Sequence, residues 1–264
     1  MYAAREMIRT VRAARYVLPF REGGSVPALM EADDLGMYVV KLGGAAQGKK
    51  ALVAELVCGE IGRSLGLAVP EIVFIDVDRA LADGERDPEI AEPLERSAGI
   101  NVGLDYLPGS ITFDPGAGSK IDPGIASRIV LFDAFVANVD RTPRNPNLLR
   151  WHDGVWLIDH GAALWFHHGW SAASALEGAD DPFADVKHHV LLPRATALDA
   201  AALDLKRTLA TGIIEPITAQ IPDDWLDGAF GGAAAERAAY SAWFTARSTH
   251  IDAIVEEAHR AQRV

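Results

Sequence analysis

The chain has 264 residues, 49% hydrophobic and 23% charged, with a formal net charge of −12. That is globular composition, long enough for one large domain or two modest lobes around a core, and it excludes disorder as the default. The acidity argues against a nucleic-acid partner, which needs a basic face to displace counterions, but leaves room for an anionic small ligand in a locally basic pocket.

In chain order, the N-terminal residues carry no apolar run fit for a signal peptide. No stretch anywhere approaches the roughly 20 apolar residues of a membrane span, so no membrane partner is expected and the expected compartment is the cytoplasm. "RYVLPF", 15–20, alternates as a strand and is broken by "EGGSV", 22–26. "MYVVKL", 37–42, is a second strand, rich in β-branched and aromatic residues, and the glycine-rich "GGAAQG" follows it. Helical spacing then runs over 49–66 and stops at Gly66, a C′ glycine. The single cysteine, Cys58, falls in this helix, with no disulfide partner and no zinc spacing, and reads as a buried small hydrophobe. "AVPEIVFIDVD", 68–78, returns to strand, and the polar "RALADGERDPEIAEPLERS" reads as a surface excursion. "INVGLDYLPGSI", 100–111, is a strand entering a Pro-Gly turn.

The character then changes. "DPGIASRIVLFDAFVANV" is a helix with Asp122 as N-cap and Pro123 at its first position. "NVDRTPRNPNLL", 138–149, follows, and then the strand "VWLID". From about residue 195 the chain is alanine- and leucine-rich and helical. Strands with one helix, then mostly helices, imply an α+β protein in two lobes, 1–107 and 108–264.

Five residues in this order suit phosphoryl transfer from ATP. Lys41 closes a strand, and Glu55 lies on the helix after it. Asp140 and Asn145 form D-x-x-x-x-N, and Asp159 ends an apolar strand before a glycine. That chemistry needs a lysine on the phosphates and a carboxylate to orient it. It also needs an aspartate for the acceptor hydroxyl and hard oxygen ligands for magnesium. Plainer alternatives exist for all but Asp159, where an acid ending an apolar strand would be half-buried and needs a partner or a metal. Lys41 can snorkel to solvent, Glu60 competes with Glu55, and Asp140 and Asn145 can form turns around Pro143. Arg141 and Arg144 suit either phosphate neutralisation or surface salt bridges. The paired histidines in "FHHGW" and "KHHVL" point apart on any regular element and make a poor metal site.

"NVDRTPRN" resembles the catalytic loop of HipA-like kinases and, more distantly, of phosphatidylinositol kinases, with Arg after the aspartate. "LIDHG" resembles their metal-binding Asp-Phe-Gly element. "YVVK" followed by "AELVCGEIGRSLGLAVPE" resembles their lysine strand and glutamate helix. The resemblance spans roughly residues 20–165 and implies a bilobal protein-kinase-like fold. It also implies an ATP- and Mg2+-dependent kinase acting on a hydroxyl acceptor, most simply a protein Ser or Thr. Lys41 would hold phosphates with Glu55 as partner, Asp140 would be the base, and Asn145 and Asp159 the magnesium ligands. Gly23, Gly24 and Ser25, which precede the lysine strand, are preferred over "GGAAQG" as the phosphate-covering loop. His160 stands where the family has Phe. A small-molecule phosphotransferase and a nucleotide-binding pseudokinase are the competing readings.

Overall fold

The computed structural model describes residues 7–20, 27–45, 48–83, 87–116 and 121–263. Five strands close into a small barrel: β1 (Thr10–Pro19), β2 (Ala28–Ala32), β3 (Met37–Lys41), β4 (Ile72–Val77) and β5 (Gly99–Asp105). Their order is β1-β2-β3-β5-β4, and β1 closes the ring by pairing parallel with β4, Thr10 opposite Phe74. Alternate side chains fill the interior: Val11, Ala13, Met30, Tyr38, Val40, Val73 and Ile75 are all buried. Closure removes the open edges that a five-stranded sheet would otherwise present.

Helix α1 (Gly48–Ser64) is buried continuously from Leu52 to Gly62. A helix buried on all its faces is covered on every side, and α1 contributes to a core cluster shared with the helical half of the molecule. It ends where the sequence indicates. Gly66 has φ +69, Leu67 N–H donates to Gly62 O and Gly66 N–H to Arg63 O, the paired bonds of a Schellman cap.

The segment after β4 departs from the surface excursion expected of it. It forms α2 (Ala80–Asp83) and α3 (Pro88–Arg96), and Leu94 of α3 is buried against the barrel residues. The proline and charges suggested a loop, whereas Ile90 and Leu94 supply the i, i+4 pair that holds a short helix down.

In the second half, α4 (Pro123–Phe135) starts as expected: Asp122 Oδ1 accepts from Ile125 N–H at 3.0 Å, with Pro123 in the first turn. A three-stranded sheet brackets α4 in the chain, β6 (Ile111–Thr112) before it and β7 (Leu148–Trp151) and β8 (Gly154–Leu157) after it, paired in the order β6-β7-β8. Short 3-10 turns between residues 165 and 194 lead into α5 (Leu198–Leu209), α6 (Ile214–Thr218), α7 (Ala233–Ser248) and α8 (Ile251–Ala261). Arg247 of α7 is 1% exposed and donates to Ala134 O and Phe135 O, both at 2.7 Å. These are carbonyls of the last turn of α4, of which Ala134 O also accepts from Ala137 N–H at 3.3 Å. Arg247 therefore fixes where α4 stops and the loop after it begins. Burial lowers its pKa to about 10. Among the described residues no helix is long and apolar enough to cross a membrane.

Candidate active site

The last residue of β3 faces the helix that follows it. Lys41 is 8% exposed, and its Nζ lies 2.5 Å from Asp159 Oδ1 and 3.7 Å from Glu55 Oε2. The snorkelling alternative therefore fails, and so does Glu60, which is buried elsewhere beside Arg63 at 3.2 Å. The expected lysine–glutamate pair is present, but the closer carboxylate is the aspartate. Burial works to lower the lysine's pKa; Glu55 and Asp159 outweigh it, and the pKa is raised, so the ammonium persists.

Glu55 is fully buried and bound from two sides. Its Oε2 accepts from the His160 backbone N–H at 2.9 Å, and its Oε1 lies 3.2 Å from His160 Nδ1, which a carboxylate partner requires to be the protonated nitrogen. The His160 ring is itself buried and meets Phe132 edge-on at 5.8 Å. Histidine here packs as an aromatic and adds one hydrogen bond, through Nδ1, that phenylalanine lacks. Burial works to raise the Glu55 pKa, yet Lys41 and the His160 bonds bring it down to about 2. A carboxylate with a depressed folded pKa stabilises fully above its ordinary value of 4.5 and loses that contribution as pH falls toward about 2. Denaturant midpoints should therefore drop more steeply across that window in the wild type than in Glu55→Gln. Equal slopes would remove Glu55 from the network.

The loop after α4 holds the second group. Asp140 is half-buried, and its Oδ2 accepts from Asn145 Nδ2 at 2.8 Å and Asn147 Nδ2 at 3.2 Å. A carboxylate only accepts, so both amides present their NH2 to it and the Asn145 oxygen is directed elsewhere. Asp140 Oδ1 accepts no bond among the described residues, which leaves it open to a hydroxyl. Asn138 Oδ1 accepts from the Asp140 backbone N–H at 3.1 Å. The two groups share one framework, because Ile158 N–H donates to Asn147 O at 3.1 Å, next to Asp159. Asp159 itself has φ 56, a left-handed conformation that Asp tolerates and that turns its side chain off the β8 strand line.

Beneath this loop lies an anchor that the sequence did not reveal. Asp133 of α4, fully buried, accepts from Arg141 Nε at 2.5 Å, Asn138 Nδ2 at 2.8 Å and His189 Nε2 at 2.9 Å. Leu191 N–H donates to His189 Nδ1, so that nitrogen is the acceptor and Nε2 carries the proton to Asp133. Arg141 also donates to Asn147 O. Arg141 is thus neither a phosphate ligand nor a surface charge; at 1% exposure it is the internal brace of the loop. Burial works to raise the Asp133 pKa, and the Arg141 and His189 contacts overcome it and hold it below the carboxylate range.

Gly23, Gly24 and Ser25 lie outside the described residues, in the connection between β1 and β2. The rival loop after β3 has its amides occupied: Gly43 N–H donates to Asn101 Oδ1 and Gly44 N–H to Ser97 Oγ, both at 2.8 Å. A Cβ at Gly44 would sit 2.5 Å from the Arg96 side chain, so that glycine serves close packing against α3. Among the described residues no cluster of three His, Cys, Asp or Glu side chains is arranged to hold a metal. Asp159 Oδ2 and the Asn145 oxygen take no hydrogen bond among the described residues. These are hard donors of the kind magnesium prefers, so the residues fit that ion.

A family model for HipA-like kinases matches residues 15–238. Among solved structures, the Helicobacter pylori proinflammatory kinase CtkA aligns with a TM-score of 0.58 at 12% identity, covering 95% of this chain and 98% of that one. A Golgi casein kinase with Mn and ADP bound gives a TM-score of 0.47 at 11% identity, over 96% of this chain and 74% of that one. No curated protein matches the sequence. The structural likeness to CtkA shows a kinase-like α+β fold, a strand-rich N-terminal region followed by a helical one. The family match extends over most of the sequence, from the first barrel strand into α7, and the chain belongs to the HipA-like kinase family.

Proposed function

We propose that this kinase uses ATP and magnesium to phosphorylate a Ser or Thr hydroxyl of a protein, in the cytoplasm. The observation that carries the reading is Lys41 held between Glu55 and Asp159, with Asp140 and Asn145 on the adjoining loop. Lys41 would reach the phosphates from the floor of the barrel, kept in place by Glu55. Gly23, Gly24 and Ser25, in the hairpin connection before β2, would cover them, since the amides of Gly43 and Gly44 are already engaged. Asp159 and Asn145 would hold magnesium, which when bound neutralises charge on the phosphate oxygens. Asp140, fixed by two asparagines through one oxygen, would orient the acceptor hydroxyl with the other and take its proton. The acceptor oxygen forms a bond to the γ-phosphorus, the bond to the bridging oxygen breaks, and its electron pair leaves with ADP. Retention of all five polar groups in one connected framework disfavours a pseudokinase.

Nucleotide with metal tests this first. Because a ligand that binds only the folded protein stabilises it, ATP with magnesium should raise Tm more than ATP alone. Lys41→Ala should shrink that shift and lower turnover together, since the lysine contacts phosphates in ground and transition states alike. No shift at millimolar nucleotide would sink the assignment.

A further inference from the structure

The loop that carries Asp140 also walls a second space. A cavity of about 880 Å³ is lined by Thr142 and Arg144 of that loop together with Lys187, His188, Leu192 and Gln262. It is attached rigidly to the catalytic loop. Val190 N–H donates to Arg141 O at 3.0 Å, and Thr142 N–H donates to both Asp140 O and Asn145 O at 3.0 Å. Gln262 Nε2 in turn holds Leu192 O and Ala195 O, at 3.0 and 2.8 Å, which ties the end of α8 to the same wall.

The charge of this space opposes that of the chain. The formal net charge of the protein is −12, yet no carboxylate lines the cavity among the described residues. Two cations, Arg144 and Lys187, line it, both exposed and neither in an ion pair among the described residues, with the exposed and uncharged His188 ring beside Lys187. Cations left unpaired on an acidic protein create a local positive field that draws anionic groups. Arg144 and Lys187 come from two separate segments, the loop after α4 and the 3-10 turn at Ala184–His188. A small anion needs convergent donors, whereas a spread of exposed cations suits an extended chain with several separate carboxylates.

We propose that this cavity is the acceptor subsite and selects polypeptides whose reacting Ser or Thr is flanked by Asp or Glu. The inference rests on the phosphotransfer reading above and names the substrate class of that same site. The peptide would lie over Leu192 with its carboxylates toward Lys187 and Arg144, and its hydroxyl would extend past Thr142 to Asp140. The transfer is the one already written: the hydroxyl oxygen gains the γ-phosphoryl group, ADP leaves, and the proton passes to Asp140.

The test uses the full chain with ATP, magnesium and two matched peptides, one with glutamates around a central Ser and one with glutamines in their place. The acidic peptide should be phosphorylated with a kcat/KM at least about tenfold higher, through KM, and the advantage should fade as salt screens the cavity's cations. Lys187→Glu should remove most of that preference by raising KM for the acidic peptide alone, a change that general damage to the fold would not confine to one peptide. Anisotropy of the labelled acidic peptide should show the same loss of binding without turnover. Equal use of the two peptides by an enzyme that binds and turns over ATP overturns the acidic-acceptor inference and leaves the kinase reading standing. Absence of both nucleotide binding and turnover in the wild type overturns the two together. Undiminished preference in Lys187→Glu overturns the placement of the subsite.

Discussion

Asp140→Asn should lower phosphoryl-transfer turnover by about a hundredfold or more while nucleotide still binds. The geometry explains both halves of that outcome. One carboxylate oxygen is fixed by Asn145 and Asn147, and an asparagine amide oxygen at 140 accepts the same two bonds. The substituted side chain then keeps its orientation and turns an NH2 toward the acceptor hydroxyl. That group cannot take a proton, so the chemical step suffers while the loop stays folded. Lys41 and Asp159, which meet the nucleotide side, are unaltered. A fixed acceptor and saturating ATP give kcat, and the Tm shift with ATP and magnesium reports binding. Turnover within a few-fold of wild type would take Asp140 out of the mechanism. Loss of the Tm shift would mean that the substitution disturbs the loop rather than the proton.

Much of the site is visible in sequence because its members sit at points where the chain changes state. Lys41 ends a strand, Glu55 lies within the buried stretch of a helix, and Asp159 follows an apolar strand, so each charge stands where an unpaired polar group would be costly. What holds those groups was harder to read. Asp133 lies inside the apolar run "RIVLFDAFV", and a lone acid there signals a buried partner without saying which residue it is. Arg141 is that partner, but its neighbours Thr142, Pro143 and Arg144 made it look like part of an exposed turn. The role of Asn147 depends on φ 47, which folds its amide back onto Asp140, and spacing alone does not report φ. In the fold, α2 and α3 were hidden by turn-like composition, and the strand β7 by its nearness to the loop motif. The "HDG" turn that joins β7 to β8 is a recognisable hairpin signal. The helical tail divides at Thr249 and His250, where neither Gly nor Pro marks a break. That division is set by packing, with Arg247 engaged on α4 and Ile251 and Ile254 buried in the shared core.

Removing the Asp133 carboxylate should be the most destabilising single change near the site. In Asp133→Ala the Arg141 guanidinium, 1% exposed, loses its only carboxylate among the described residues, and Asn138 and His189 lose an acceptor at the same time. Leaving a buried charge uncompensated typically costs about 3–5 kcal/mol. For a chain of this size that corresponds to a Tm lowered by roughly 6–10 °C, at about 2 °C per kcal/mol. Turnover measured well below the new Tm should also fall, since Arg141 no longer braces the backbone at Asn147 and Asp140 loses one of its two orienting amides. Acid provides an independent handle with a definite sign. The Asp133 pKa is held below its ordinary 3.8, so its contribution is complete above that value and is lost as pH falls further below it. The wild type should therefore lose stability in that acid range and Asp133→Ala should lose less, narrowing the gap in their Tm values. A variant that melts within about 2 °C of wild type at neutral pH, a difference of less than about 1 kcal/mol, would show that Asp133 does not anchor the loop.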